Sequence, residues 1–379
     1  MSTQHTSTQH TKTDRGTGGS TSSPVLDVVD LRVRFETDRG VVRAVEGVTF
    51  ELHAGETVGL VGESGSGKSV TNLALLGLLP RPPAVVEAAR AALLGRDLLR
   101  LSPRELRAVR GREIALIFQD PMTALNPFLT IGRQLGEVLE THENATRDAA
   151  RSRARSALAD VGIPDPDRIV DAYPHEMSGG MRQRAMIAMA LLCKPKVLIA
   201  DEPTTALDVT VQAQILELLR DVQRRHGTGI VLVTHSLGVV AGTCDRVLVM
   251  YAGRVVETAS TARLFESPLH PYTRGLMASV PSLTGDPRAR LASIPGTPPD
   301  PAAPLPGCAF APRCSVAIER CGRDVPALDR IVLRGDEGQR AAACFVAGAE
   351  LAGGSANGTT TGAKNARQDV DFGATGAAP

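Results

Sequence analysis

Residues 57–70 read TVGLVGESGSGKSV, and this stretch decides the fold. Residues 57–61 are mainly apolar and predict a buried strand, while the run that opens at Gly67 predicts a helix to about Leu79. The eight residues that join them fit the phosphate-loop pattern G-x-x-x-x-G-K-[ST]. They are Gly62, Glu63, Ser64, Gly65, Ser66, Gly67, Lys68 and Ser69. A strand, this loop and a helix in that order predict a site for the phosphates of ATP or GTP.

The residue types in this loop suit the chemistry of phosphate binding. Glycines let backbone N–H groups curl around phosphate oxygens without Cβ collisions. The helix that follows presents its unpaired N–H groups and the positive end of its dipole to the same anion. Lys68 supplies a cation for the β- and γ-phosphates, and the hydroxyl of Ser69 is a ligand for Mg²⁺.

Two acidic residues follow the continuously apolar run at residues 197–200. Ligands of parallel sheets bind beyond the carboxyl ends of the strands, where such acids meet the phosphates. Neighbouring side chains on an extended chain point in opposite directions, which predicts two roles. We expect Asp201 to hold Mg²⁺ through water and Glu202 to orient and deprotonate the attacking water. An acidic pair in isolation is as often a solvated turn, but the phosphate loop upstream favours the catalytic interpretation.

Composition limits the class of protein. The chain has 379 residues, of which 42 are basic and 41 acidic, so no excess of positive charge is available for a nucleic-acid partner. Hydrophobic residues make up 42%, which is enough for a large core. No apolar run approaches the roughly 18 residues that span a bilayer, and residues 1–24 lack the hydrophobic segment of a secretory signal. We therefore expect a cytosolic chain that meets a membrane through a partner.

The order of apolar runs predicts the architecture. Strand-like and helical segments alternate, which indicates an α/β fold with a mainly parallel sheet. Residues 98–173 are charged and helical in period, and predict an inserted helical layer. Beyond about residue 264 the composition becomes Pro-rich, and residues 1–24 and 347–379 are predicted to be disordered tails.

Several further residues complete a set of motifs. In chain order they are Gln119 after the apolar run 114–118, the trio Ser178, Gly179 and Gly180 before a predicted helix, Ala206-Leu207-Asp208, and His235 after the predicted strand 229–233. Together with the phosphate loop and the Asp-Glu pair, this order resembles that of the ATP-binding subunits of ABC transporters. The resemblance covers about residues 25–265 and is specific, because unrelated phosphate-loop proteins lack the Ser-Gly-Gly element.

This resemblance implies a phosphate-loop ATPase core over residues 25–265, with a mainly parallel sheet, a small antiparallel β layer and a helical subdomain at about 98–178. A Pro/Cys-rich C-terminal extension would occupy residues 266–346. It further implies that Phe35 stacks on adenine and that His235 contacts the γ-phosphate. Gln119 would contact Mg²⁺ or the lytic water and couple the site to the membrane subunits.

The signature trio implies a second subunit. In the resembled family Ser178, Gly179 and Gly180 bind the γ-phosphate held by the other subunit, and Asp208 bridges the two. Two glycines at a helix start expose N–H donors to an anion. That anion cannot be the one that the chain's own phosphate loop already binds. A chain with one of each completes a nucleotide site only by pairing head-to-tail with another such chain.

Four stretches narrow the resemblance to the oligopeptide/dipeptide/nickel importer branch. They are FQDPMTALNP at 118–127, MSGGMRQR at 177–184, SPLHPYTR at 267–274 and IPGTPP at 294–299. Met181 stands where the wider family usually has Gln. The branch implies an ATPase that energises peptide uptake from the cytoplasmic face of the cell membrane. Its partners would be a second ATPase subunit (paralogue or same chain), two permeases and an extracytoplasmic solute-binding protein.

Three other functions fit part of this pattern. The same machinery imports nickel or another small solute in some systems. A soluble ABC ATPase acting on ribosomes or DNA would share the nucleotide motifs, and a regulatory protein would bind ATP as a switch. Intact Glu202 and His235 argue against a pure switch.

Cysteines cluster in the predicted extension at Cys308, Cys314, Cys321 and Cys344. Four soft thiolates hold either Zn²⁺ or an iron–sulfur cluster. The spacing lacks the paired C-x2-C of zinc sites, and some members of the resembled branch carry a [4Fe-4S] cluster on such cysteines, which favours iron. Cysteines without a metal are the third alternative. Cys193 and Cys244 lie in apolar patterns and are predicted to be ordinary buried thiols.

Overall fold

The structure is a computed structural model and describes residues 23–205, 207–279, 293–331 and 340–347. The predicted tails, except residues 23–24 and 347, and Ala206 of the motif set lie outside these ranges. Within the ranges no helix has both the length and the apolar character needed to cross a membrane.

Thirteen strands and eleven α-helices are formed by the described residues. The strands are β1 Leu26–Thr37, β2 Gly40–Leu52, β3 Thr57–Val61, β4 Ala84–Glu87, β5 Arg90–Leu93, β6 Arg96–Asp97, β7 Ile114–Ile117, β8 Val197–Asp201, β9 Gly229–Thr234, β10 Arg246–Tyr251, β11 Arg254–Ser260, β12 Asp329–Arg330 and β13 Ala341–Ala342. The helices are α1 Lys68–Leu75, α2 Pro103–Val109, α3 Pro121–Ala124, α4 Ile131–Glu143, α5 Arg147–Asp160, α6 Pro166–Ile169, α7 Gly179–Leu191, α8 Val209–His226, α9 Leu237–Thr243, α10 Thr261–Glu266 and α11 Pro271–Ala278.

The main sheet has eight strands in the order β12-β13-β11-β10-β3-β9-β8-β7. Strands β10, β3, β9, β8 and β7 run parallel, and β11 and β13 are antiparallel additions at one side. Every residue of β3, β8 and β9 is buried, as strands covered on both faces require. The predicted α/β fold with a mainly parallel sheet is confirmed.

A second sheet is antiparallel and has the order β2-β1-β5-β6, with β4 also paired to β1. Its inward side chains, such as Val28 and Val45, share one core with Leu60 and Val231 of the main sheet and with Leu75 of α1. The antiparallel layer is thereby fixed against the strand and helix that flank the phosphate loop.

The prediction of an inserted helical layer over about residues 98–173 is wrong in one respect. Ile114–Ile117 forms β7, which pairs with β8 in the main sheet. Its apolar run is short and is flanked by charged residues, so the sequence pattern merged it with the neighbouring helices. The layer that follows β7 packs α4, α5 and α7 together through Leu135, Leu139 and Leu158, among other buried residues.

Helix α1 ends earlier than predicted, at Leu75 rather than near Leu79. Gly77 follows with φ +60°, the left-handed conformation that commonly terminates helices. The predicted helices at 179–192 and 210–225 are found as α7 and α8.

A buried carboxylate joins the segment 267–274 to the core. Glu257 of β11 is fully buried and accepts the N–H groups of Leu269 and His270, both at 2.8 Å. Burial raises the pKa of Glu257, and burial lowers the pKa of His270 to about 4. The neutral His270 ring then accepts the N–H of Tyr272 at Nδ1. This stretch, which carries the branch resemblance, is therefore a structural junction at the start of α11.

Candidate nucleotide and catalytic site

The phosphate loop lies between β3 and α1, and two of its glycines are required by close backbone approaches. Gly62 has φ +156°, and a Cβ there would lie 2.2 Å from the carbonyl oxygen of Met250. Gly67 has φ +100°, and its Cβ would lie 2.5 Å from the carbonyl oxygen of Ala44. Any larger residue would displace β10 or β2 from the loop.

Lys68 lies under the loop with only 6% of its surface exposed. Its Nζ donates hydrogen bonds to the carbonyl oxygens of Gly62 and Glu63, both at 2.8 Å. Burial lowers the pKa of Lys68, and the nearby carboxylates of Glu202 and Asp201 oppose that effect. The structure thus brings the loop lysine and the acidic pair to one place, although they are separated by more than 130 positions in the sequence.

Asp201 at the end of β8 has the environment of a metal ligand. The carboxylate is 7% exposed, burial raises its pKa, and the Ser69 hydroxyl donates a hydrogen bond to it. Its Oδ1 is buried without a hydrogen-bond partner among the described residues. Mg²⁺ prefers carboxylate and hydroxyl oxygens beside phosphates, so Ser69 and Asp201 fit this ion.

Three side chains converge on the carboxylate of Glu202. Gln119 donates from Nε2 to Oε2 at 3.1 Å, Thr205 donates from Oγ1 to the same oxygen at 2.8 Å, and His235 Nδ1 lies 3.3 Å from Oε1. Burial alone would raise the pKa of Glu202, but hydrogen bonds from Thr205 and His235 outweigh it and lower the pKa overall. The carboxylate is therefore ionised at neutral pH, as a general base must be.

Gln119 was predicted to contact Mg²⁺ or the lytic water, and it contacts Glu202 in the structure. Sequence reasoning missed Thr205 altogether. Its spacing of three residues from Glu202 is the signal that was present, but the contact depends on the turn after β8. Glu202 itself has φ +46°, a left-handed conformation unusual for this residue type.

Replacing Thr205 with Val is expected to move the acid limb of the ATPase pH profile to higher pH. The hydroxyl hydrogen bond lowers the pKa of Glu202, so its loss raises that pKa, and the base is protonated at a higher pH. The turnover number at saturating ATP, measured across the acidic range, should fall while the alkaline plateau stays near wild type. Thr141→Val, at an exposed position of α4, is the matched control. An unmoved acid limb would show that this contact does not set the pKa of the base.

The signature trio lies at the start of α7, beside α8. Ser178 caps α7 by accepting the N–H of Met181, and Asp208 caps α8 by accepting the N–H of Val211. A Cβ on Gly180 would lie 3.1 Å from Val211, so the two helix starts are adjacent. Among the described residues the trio forms no hydrogen bond with residues 62–69. Gly179 has open space around its Cβ position.

Phe35 and Met181 lie against the core of the protein and not in the wall of the cavity beside the phosphate loop. Phe35 lies on β1 opposite Val42, where it is half-buried against the core shared by the two sheets. A cavity of about 280 Å³ adjoins the phosphate loop, and the hairpin of β1 and β2 contributes Arg43, Ala44 and Glu46 to its wall rather than Phe35. Met181, the departure from the usual Gln, packs against the main core.

The four clustered cysteines lie close together in the C-terminal part. The N–H of Cys308 donates to the carbonyl oxygen of Cys321 at 2.8 Å. Burial raises the pKa of Cys308 and Cys344, and the other thiols of the set contribute to the rise. Within the described ranges, however, no group of three or more His, Cys, Asp or Glu side chains is arranged to hold a metal ion.

The two cysteines outside that set differ: Cys244 is a buried thiol as predicted, whereas Cys193 lies beside the charged side chains of Glu143 and Arg153. Cys244 is buried, and burial raises its pKa to about 12. Cys193 is half-buried, and its pKa is also raised by burial.

Comparison with known proteins gives consistent matches. Residues 45–205 match the family model for ABC transporters, and residues 256–321 match that for the oligopeptide/dipeptide transporter C-terminal region. A probable peptide ABC transporter ATP-binding protein of Sinorhizobium fredii is 53% identical over 321 residues, 85% of this chain and 94% of that protein. The dipeptide transport ATP-binding protein DppD of Bacillus subtilis is 54% identical over 302 residues, 80% of this chain and 90% of that protein.

A solved structure agrees on the fold. A dimeric ATP-binding cassette in a post-hydrolysis state, bound to ADP and phosphate, has a TM-score of 0.56 and 25% identity, over 62% of this chain and 98% of that one. The buried phosphate loop, the acidic strand end and the signature helix are thus found on a cassette fold in a chain with close relatives along most of its length. The chain belongs to the ATP-binding subunits of ABC transporters and carries the C-terminal region of the oligopeptide/dipeptide branch.

Proposed function

We propose that this chain hydrolyses ATP to drive the uptake of oligopeptides or dipeptides through membrane-embedded partner subunits. The observation that carries the proposal is the convergence of Lys68, Asp201 and Glu202 on the phosphate loop of a chain that also contains the peptide-branch C-terminal region. Relatives at about 50% identity or more are named as oligopeptide or dipeptide transport ATP-binding proteins.

Hydrolysis follows from the positions of the side chains. The loop N–H groups and Lys68 bind the phosphates and stabilise the charge that develops on the γ-phosphate. Mg²⁺, held by Ser69 and Asp201, would neutralise charge on the β- and γ-oxygens. Glu202 accepts the proton of the water that attacks the γ-phosphate in line, and His235 adds a hydrogen bond to that phosphate. Gln119 contacts Glu202, so a change in the position of Glu202 would move Gln119 as well.

A groove beside Gln119 is suited to a membrane partner. A cavity of about 240 Å³ lies between the main sheet and the helical layer, and Phe118, Leu125, Val138 and Met186 contribute to its wall. Nearby Phe128 is 86% exposed, and Phe118 and Met122 are exposed as well, so apolar surface that a partner would cover adjoins the cavity. We assign this groove to the permease subunits, so that movement at Gln119 reaches them directly.

The proposed partners include a second ATPase, because the signature trio and the phosphate loop of this chain are separate sites. A second ATPase subunit, either another copy or a paralogue, supplies the missing signature trio to each phosphate loop. Two permeases and an extracytoplasmic solute-binding protein complete the importer, with this chain at the cytoplasmic face of the membrane. Phe35 is assigned to adenine stacking, which requires it to swing from its half-buried position.

Reconstitution tests the substrate class. The chain, its second ATPase, the permeases and the solute-binding protein encoded beside it would be placed in liposomes, and ATP turnover measured with dipeptides, oligopeptides or Ni²⁺ outside. Stimulation by peptides of either length supports the proposal. Stimulation by Ni²⁺ alone would assign the solute alternative, and turnover that responds only to ribosomes or DNA would assign the soluble alternative.

We also propose that Cys308, Cys314, Cys321 and Cys344 hold an iron–sulfur cluster. Burial raises the pKa of Cys308 and Cys344, but the Sγ atom of each also accepts two backbone N–H groups, which oppose that rise and would stabilise a thiolate ligand. A Pro-rich segment buries little apolar surface, so a bound cluster would offset the entropy of ordering it. Cluster binding requires the thiols to converge further than they do in the structure.

Anaerobic purification should yield about four iron and four acid-labile sulfide per chain, as the cluster formula requires. Cys308→Ser is expected to lose both, because one of four ligands is removed, whereas Cys193→Ser outside the set should retain them. Stoichiometric zinc, or chains without metal after anaerobic handling, would refute the cluster.

A further inference from the structure

A partly buried ion pair joins the phosphate loop to the segment at residues 308–321, which carries three of the clustered cysteines and is called the cysteine-bearing segment below. Arg313, which directly precedes Cys314, donates two hydrogen bonds to the carboxylate of Glu63, at 2.7 and 3.0 Å. The Arg313 side chain is 5% exposed and the Glu63 side chain 27% exposed. The hydrolytic mechanism above uses neither side chain, although Glu63 is the second residue of the loop.

The guanidinium of Arg313 is also held by groups other than Glu63. Its Nε donates to the carbonyl oxygen of Pro295 at 2.9 Å, and its Nη2 donates to that of Ile294 at 3.3 Å. Nη1 also donates to the Tyr251 hydroxyl at 3.2 Å, and the guanidinium lies over the rings of Tyr251 and Phe310. A planar fork held in this way presents two donors to a carboxylate in one orientation.

Glu63 is in turn held by the nucleotide lysine. Its carbonyl oxygen accepts a hydrogen bond from Lys68 Nζ at 2.8 Å, and its N–H donates to the hydroxyl of Tyr272 at 2.8 Å. Arg313 and Tyr272 of the C-terminal part therefore hold the side chain and the N–H of Glu63, and Lys68 holds its carbonyl oxygen. A loop that is fixed before binding loses less entropy when phosphate enters, so these contacts bear on nucleotide affinity.

The same C-terminal segment closes the space beside the loop. The cavity of about 280 Å³ has Ser64, Gly65 and Ser66 on one side and Pro299 and Leu305 on the other. Arg43 of β2 also donates its N–H to the carbonyl oxygen of Pro301 at 2.9 Å. The C-terminal segment thus lies against β2 and lines the same cavity as the loop.

We propose that Arg313 is a positioning residue of the nucleotide site, through which the cysteine-bearing segment sets the affinity of the phosphate loop for ATP. The proposal rests on ATP binding at that loop. A pair that merely fastened the segment to the core would affect thermal stability alone. A positioning pair also changes the ATP dissociation constant and KM.

Arg313→Met in the full-length chain separates these outcomes. We expect the Kd for a fluorescent ATP analogue and the KM for ATP to rise about tenfold, with kcat much less affected, the pattern of lost ground-state binding. Arg313→Lys should not restore affinity, because an ammonium lacks the two-pronged fork. Arg323→Met, which removes an exposed arginine paired with Glu319, is the matched control and should bind as wild type.

Glu63→Gln provides a second variant that keeps the other bonds of Arg313. It should weaken ATP binding in the same direction, and the double variant should be no worse than Arg313→Met alone, since both changes break one contact. Unchanged Kd and KM in Glu63→Gln, or in a folded Arg313→Met chain with only a lower melting temperature, would overturn the proposal. Lys68→Ala tests the loop itself: intact ATP binding there would refute the underlying site instead.

Discussion

Glu202→Gln is expected to lower the ATP turnover number by at least about 100-fold, the usual contribution of a general base. Glutamine is the same size and retains hydrogen bonding to the groups around it, but it cannot accept the proton of the attacking water. ATP affinity should stay close to wild type, because in the proposed mechanism the loop and Lys68, not Glu202, hold the phosphates. Phosphate release at saturating ATP, together with a separate ATP titration, measures the two effects independently.

Glu137→Gln is the matched control for that experiment. Glu137 pairs with Arg133 on the exposed side of α4, so the substitution removes a carboxylate without approaching the site. We expect turnover within experimental error of wild type. Near-normal turnover in Glu202→Gln itself would mean that another group removes the proton from the attacking water.

The phosphate loop could be located from sequence because its chemistry is local. Eight consecutive residues determine both the backbone curvature and the charge at Lys68, and the strand before them is mainly apolar. Asp201 and Glu202 were found for a similar reason, since a continuously apolar run marks a strand buried on both faces. Their partner Thr205 was missed because the left-handed turn at Glu202 has no distinct sequence pattern.

Contacts between distant segments could not be predicted from one sequence. Arg313 and Glu63 are 250 positions apart, and no spacing relates them. The two-residue strands β12 and β13, which extend the main sheet beside β11, are too short to show a period. Strand β7 was hidden for the opposite reason: its four apolar residues lie in a strongly helical neighbourhood, and only pairing with β8 distinguishes it.

Ser178→Asp is expected to abolish turnover, with a loss of about 100-fold or more, while ATP affinity of the isolated chain is unchanged. Asp is as good a helix cap as Ser, so α7 should remain intact. In the proposed composite site, however, its negative charge would face the γ-phosphate bound by the partner subunit, where the trio would supply N–H donors to the transition state. Thr130→Asp, the same change at the cap of α4, is the matched control and should be nearly silent.

Mixing experiments separate a shared site from a site within one chain. If the partner is a second copy, Ser178→Asp chains mixed with Lys68→Ala chains should recover about a quarter of wild-type turnover, since half of the dimers are mixed and each has one intact site of two. If the partner is a paralogue, Ser178→Asp in this chain would be combined with a loop lysine substitution in the paralogue. Both defects then lie in the same composite site, the other site stays intact, and turnover should persist. The trio forms no hydrogen bond with its own loop among the described residues, so a loss of ATP affinity in isolated Ser178→Asp would contradict the head-to-tail arrangement.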